Sequence, residues 1–194
     1  ILILDSNFNY KQTLHLEFDN INSILPIEKN KWYVSASSGL YILTLQNNSY
    51  KFQKIIDDNI SIVTIDHYNN YWFFGDLKFY SIVKNKIKSY QKKDLNMPKL
   101  FFTAQADDFG NLYIGTNLGI EKIKTDQFGK IVSIRNFNSK NGFTGLETCN
   151  KSQYKDENGD LWVGTANGLY KITPTKNDNF YKSNLNINIT EIKL

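Results

Sequence analysis

The side chains able to ligate, titrate or attack are few in this chain, and their spacing is unhelpful to catalysis. His15 and His67 are the only histidines, and neither has a Glu or His partner at zinc-site spacing. Cys149 is the single cysteine, which excludes an internal disulfide; with no nearby His to take its proton, it does not read as a nucleophile. The densest acidic run is Asp156-Glu157-Asn158-Gly159-Asp160. A calcium loop of the EF-hand kind needs Gly at its sixth position and Glu at its twelfth, and this run has neither. The run Asp107-Asp108-Phe109-Gly110 repeats its form, so turn chemistry accounts for both. In such a turn the Asp carboxylate accepts from backbone N–H groups further round, and Gly takes the positive φ. The residues point to no metal, no cofactor and no catalytic group.

These turns belong to a longer phrase. It runs from Asp156 to Tyr170, again from Asp107 to Ile120, and in degenerate form from Asp66 to Tyr80 and from Trp32 to Tyr41. Its aromatics fall at Tyr33, Trp72, Tyr113 and Trp162, in steps of 39, 41 and 49 residues. A strand-rich repeat with a period of roughly forty residues is the mark of a radial β-array, chiefly the β-propeller. The expected fold is all-β: about four blades plus a partial one, an excerpt of a larger ring.

Each copy divides into short strands separated by turns. The expected strands are 22–27, 31–36, 40–45 and 50–56, then 61–66, 71–75, 78–83 and 86–90. Next come 101–106, 111–116, 119–124 and 131–137, and finally 151–155, 160–165 and 169–173, where Pro174 stops the ladder. Residues 1–5 and 11–18 read as the last two strands of a preceding blade. Expected blade limits are 1–20 (partial), 21–58, 59–99, 100–145 and 146–186. The small Gly and Thr of each second strand let neighbouring sheets approach near a crowded axis, while the aromatic packs between blades.

Composition narrows the partners. Of 23 basic residues only Arg135 is arginine, and the lysines are scattered singly. A nucleic-acid reader clusters its charge and favours bidentate Arg, so nucleic acid is excluded and the lysines are expected on exposed strand faces and turns. No run approaches the eighteen or so apolar residues of a membrane span, so no direct membrane contact is expected. The chain opens on Ile1-Leu2-Ile3-Leu4, a strand in mid-fold, which reads as an excerpt of a longer protein.

The pattern Asp156-x-x-Gly159-x-Leu161-Trp162-Val163-Gly164-Thr165-x-x-Gly168-Leu169-Tyr170-Lys171-Ile172-Thr173-Pro174 closely resembles the two-component regulator propeller repeat. That family forms the periplasmic sensor region of Bacteroidetes-type hybrid histidine kinases. The stretch 141–150 resembles the connector that precedes the final repeat, and the tail 187–194 resembles the start of the Ig-like domain that follows. The likeness covers 21–194, with departures at Phe74 (Gly is usual), at Tyr68-Asn69 and at Ile27, where the turn Asp is missing.

The resemblance implies a non-catalytic, periplasmic ligand-sensing module of a hybrid two-component sensor, responding to a carbohydrate or other small molecule. The rest of the sensor chain would be its partner. Ligands in propellers most often meet the face carrying the second-to-third-strand turns and the blade connectors. Here that face offers Thr116, Asn117, Thr165 and Asn167 in the turns, and Asn141, Glu147, Thr148, Asn150 and Lys151 in the connector, with Phe143 able to stack on a sugar. The same Asn and Thr residues are ordinary turn formers. Two other readings compete: a protein-interaction scaffold, including a homodimer, and a lyase- or lactonase-type propeller enzyme.

Overall fold

Each repeat folds into an antiparallel meander because its turns are chemically closed within a few residues. The computed structural model describes residues 1–4, 6–14, 20–141 and 143–176. A hairpin of β1 (Leu2–Leu4) and β2 (Tyr10–Thr13) comes first. Three four-stranded sheets follow: β3 (Ile21–Glu28) to β6 (Ser49–Ile56), with β4 (Lys31–Ala36) and β5 (Gly39–Gln46); β7 (Ile62–Ile65) to β10 (Lys86–Gln91), with β8 (Tyr71–Phe74) and β9 (Lys78–Val83); and β11 (Phe101–Ala106) to β14 (Ile131–Phe137), with β12 (Asn111–Thr116) and β13 (Gly119–Thr125). The last described sheet holds β15 (Thr148–Lys155), β16 (Leu161–Thr165) and β17 (Gly168–Ile172). Within every sheet each strand pairs with its neighbour in sequence. This is the architecture of a partial β-propeller. The expected start of a second domain at 187–194 lies outside the described residues.

The turn aspartates are the local device. Asp66 Oδ1 accepts from the backbone N–H groups of Tyr68 and Asn70, both at 2.9 Å, while Oδ2 accepts from Asn70 Nδ2 at 3.1 Å and Trp72 Nε1 at 2.8 Å. Asp156 repeats the pattern with Asn158 N, Asp160 N and Trp162 Nε1. Asp107 takes Phe109 N, Asn111 N and Asn111 Nδ2. Charge-assisted bonds of this kind are the strong ones. They account for the recurrence of the acids in these turns. The third residue after each Asp must turn left-handed: Gly110 has φ 84°, and in the second sheet Asn69 takes the same place at φ 62°. Asn is the side chain that best tolerates that region, so the departure at Tyr68-Asn69 leaves the turn intact.

Alternation in the second strand of each sheet divides its side chains between two neighbours. Phe73 joins Tyr33, Leu40 and Ile56 of the first sheet and Ile60 of the link that follows it, while Trp72 and Phe74 face Leu112, Ile114 and Ile123 of the third. Tyr113 and Ile120 pack against Leu161 and Val163 of the last. Phe74, standing where the repeat has Gly, is fully buried, its ring centroid 5.6 Å from that of Phe79 and 5.8 Å from that of Phe101.

Two lysines depart from the expected exposed positions. Lys92 is 5% exposed, its Nζ lying 3.8 Å from the Phe101 ring centroid and donating to the Lys99 carbonyl at 2.9 Å. Lys122 is 6% exposed, with Nζ 5.2 Å from the Tyr113 ring centroid. Long aliphatic stems pack well between sheets, and an aromatic face is a fair substitute for water around an ammonium.

Candidate functional site

The first strands of the four sheets converge on one space. A cavity of about 240 Å³ is lined by Asn22 and Ser23 of β3, Ser61, Ile62 and Val63 at β7, Thr103, Ala104 and Gln105 of β11, and Lys151 and Gln153 of β15. Its walls are mostly hydroxyl and carboxamide groups. Asn22 Nδ2 is engaged with the Ile60 carbonyl at 2.9 Å. Both Gln153 amide atoms are shielded from solvent and have no hydrogen-bond partner.

A bulge shapes the last wall. The register passes from Thr148 opposite Thr165 directly to Gln153 opposite Val163, so β15 carries extra residues between those pairs. Bulges re-aim side chains, and they are frequent beside binding sites. Ser152 Oγ braces this one, its single proton shared between the Cys149 carbonyl at 2.6 Å and the Gly164 carbonyl at 3.0 Å. Lys151 sits in the bulge with φ 53°, the one non-glycine residue with positive φ inside a described strand. Its Nζ reaches the Asn22 carbonyl of the first sheet at 3.4 Å.

Of the residues expected to bind ligand, only Lys151 lines this cavity. Thr148, Asn150 and Lys151 belong to β15 rather than to a connector, because the bulge lets that strand begin at Thr148. Thr116 is buried; its hydroxyl donates to the Gly119 carbonyl and accepts from Leu118 N, both at 3.0 Å. Thr148 is also buried and donates to the Thr116 carbonyl at 3.2 Å. The Thr165 hydroxyl lies 2.8 Å from Asn167 Oδ1 and 2.9 Å from the Gly168 carbonyl. Asn167 pins the connector, accepting from Leu146 N at 3.0 Å and donating to the Thr144 carbonyl at 3.2 Å. Asn117, Glu147 and Asn150 are exposed, and Asn141 ends a short 3₁₀ turn at Ser139–Asn141. The Phe143 ring centroid lies 4.9 Å from that of Tyr170.

Sequence reading missed Asn22, Ser23, Ser61, Thr103, Gln105 and Gln153. Their signal is present as polar side chains in the first strands, three of which are otherwise largely apolar, but without the fold nothing says that four first strands share one space.

Apart from Lys151, the described titratable groups lie elsewhere. His67 is exposed, its ring edge-on to Tyr68 at 5.3 Å, and Cys149 is exposed; His15 lies outside the described residues. Burial pushes the Glu121 carboxyl up, against the pull of Asn136 Nδ2, which donates to it at 2.7 Å. Burial also raises the Tyr80 phenol, and its bond to Asp58 Oδ2 at 3.0 Å adds to the effect. Among the described residues no three His, Cys, Asp or Glu side chains gather as a metal site would require, and no helix is long and apolar enough to cross a membrane.

No family model and no curated protein sequence matches this chain. Solved structures do share its fold. The extracellular domain of a hybrid two-component system from B. thetaiotaomicron superposes with a TM-score of 0.62 at 12% identity, over 82% of this chain and 23% of that one. The extracellular domain of a one-component system from the same organism gives a TM-score of 0.62 at 14% identity, over 84% and 22%. Streptogramin B lyase gives 0.62 at 16% identity, over 88% and 57%. The chain thus spans under a quarter of the length of the two extracellular domains. Sensor domains and a lyase alike carry these blades.

Proposed function

We propose that this chain is a ligand-sensing part of the extracytoplasmic region of a two-component sensor, without catalytic activity of its own, and that its ligand is a carbohydrate. One observation carries the reading: among the described residues, the cavity between the first strands is walled by hydroxyls, carboxamides and one ammonium, with no His, Asp or Glu in its lining. Such groups bind and orient a hydroxyl-rich molecule, whereas a lyase needs an acid or base beside the scissile bond. Sharing a fold with extracellular sensor domains supports the same reading. The test is a thermal-shift screen against a panel of oligosaccharides, followed by assay for turnover of any that bind. A ligand of the folded state raises the melting temperature. A shift of several degrees with one glycan class and no turnover is expected; turnover would reassign the chain to the enzymes.

A protein-contact scaffold is the second reading. It is favoured by exposed leucines in the second-to-third-strand turns (Leu77, Leu118), in the last connector (Leu146) and at the start of β17 (Leu169). A complex that forms without any sugar, and weakens when Leu118 and Leu169 become serine, would support it.

A further inference from the structure

The cavity between the first strands has a sign as well as a polarity. Among the described residues Lys151 is the only charged one in its lining, and its ammonium has no carboxylate partner among them. Its one contact, to the Asn22 carbonyl, is long at 3.4 Å. The chain holds this lysine in place against its backbone preference, at φ 53° in a braced bulge. The next residue but one, Gln153, presents a shielded carboxamide with neither atom satisfied. Unpaired polar groups in that position are costly, and a ligand that bonds them removes the cost. Ser61 and Thr103 supply hydroxyls from two other sheets.

We infer that this cavity binds a small polyhydroxylated carboxylate, of the sugar-acid class. Lys151 takes the carboxylate, and the Gln153 amide with the facing hydroxyls takes the ligand hydroxyls. A single ammonium suits a monoanion; a phosphate dianion would call for further cations or a bidentate Arg. At about 240 Å³ the space is smaller than a typical drug-sized pocket, which fits one sugar unit. The inference rests on the sensing reading and narrows its ligand.

Isothermal titration of the full chain with sodium glucuronate, glucose and sodium acetate tests it. Glucuronate is expected to bind at least about tenfold tighter than either, since the charged contact and the hydroxyl contacts are both needed. Lys151→Asn, which keeps a side chain tolerant of the left-handed backbone, is expected to reduce glucuronate to the level of glucose. Lys151→Gly is expected to do the same while raising the melting temperature, a combination that a merely structural lysine would not give. Glucuronate binding no tighter than glucose, acetate binding as tightly as glucuronate, or a preference unchanged in Lys151→Asn would overturn the inference. If neutral sugars bind and Lys151→Asn has no effect, the sensing reading survives and this one falls. If no sugar binds a cooperatively melting chain, both fall.

Discussion

The backbone of Gly115 lies so near Thr148 that a Cβ on it would stand 2.5 Å from the Thr148 hydroxyl oxygen, and 2.6 Å from Thr103 Cγ2. The third and fourth sheets meet at this point, where Thr148 also donates to the Thr116 carbonyl. Gly115→Ala is therefore expected to destabilise by about 1–3 kcal/mol in urea denaturation, the usual cost of overpacking. Adding Thr148→Ala should recover part of the loss, giving a non-zero coupling in a double-mutant cycle. Strict additivity would contradict the contact.

Asp66 accepts four hydrogen bonds inside the protein, and Asp126 accepts two at an exposed turn. Asp66→Ala strands buried donors, among them Trp72 Nε1, and should cost about 3 kcal/mol. Asp126→Ala leaves its donors open to water and should cost under about 1 kcal/mol. Equal losses in the two variants would refute the distinction.

At Gly110 a Cβ would meet the Tyr68 ring at 3.1 Å, on a backbone with φ 84°. Gly110→Ala should lower stability by about 1–2 kcal/mol. Asn69→Gly, at the same position of the second sheet, should change it by less than about 0.5 kcal/mol. Calorimetric melting of the two variants checks both.

Lys92 offers a pH test. Burial lowers its ammonium to about 8 from the usual 10.5, and Asp76 and Asp58 oppose the shift. Between those values the unfolded chain binds a proton that the folded chain does not, so stability rises with pH across that window. Below the folded value both states are protonated, and the penalty is present in full. Urea midpoints at pH 7.5, 8.5 and 9.5 should climb in the natural chain and stay flat in Lys92→Met. A climb that persists in the methionine variant would place its source elsewhere.

Strands and turns were legible because their signals are local. Asp, Gly and an alternating aromatic strand declare themselves within a dozen residues, and β4, β9, β11, β12 and β14 occupy the expected spans. The Trp72 and Trp162 indole bonds to Asp66 and Asp156 were not anticipated, although the six-residue spacing recurs in both copies. The cavity was less legible. Lys151, singled out as a binding candidate, was placed in a connector, because a bulge leaves no mark in an alternation pattern. Ser61, Thr103 and Gln153 are unremarkable polar residues until packing brings distant strands together.

The meander has a kinetic consequence. Every strand's hydrogen-bonded partner is its neighbour in the chain, so each pairing closes a short loop. Short loops cost little entropy, and hairpins of this kind zip within microseconds. The slower event is the docking of one finished sheet on the next, where Phe73 must find Tyr33 and Trp72 must find Leu112. Such a chain can assemble module by module during synthesis, with each new sheet templated by the one already made.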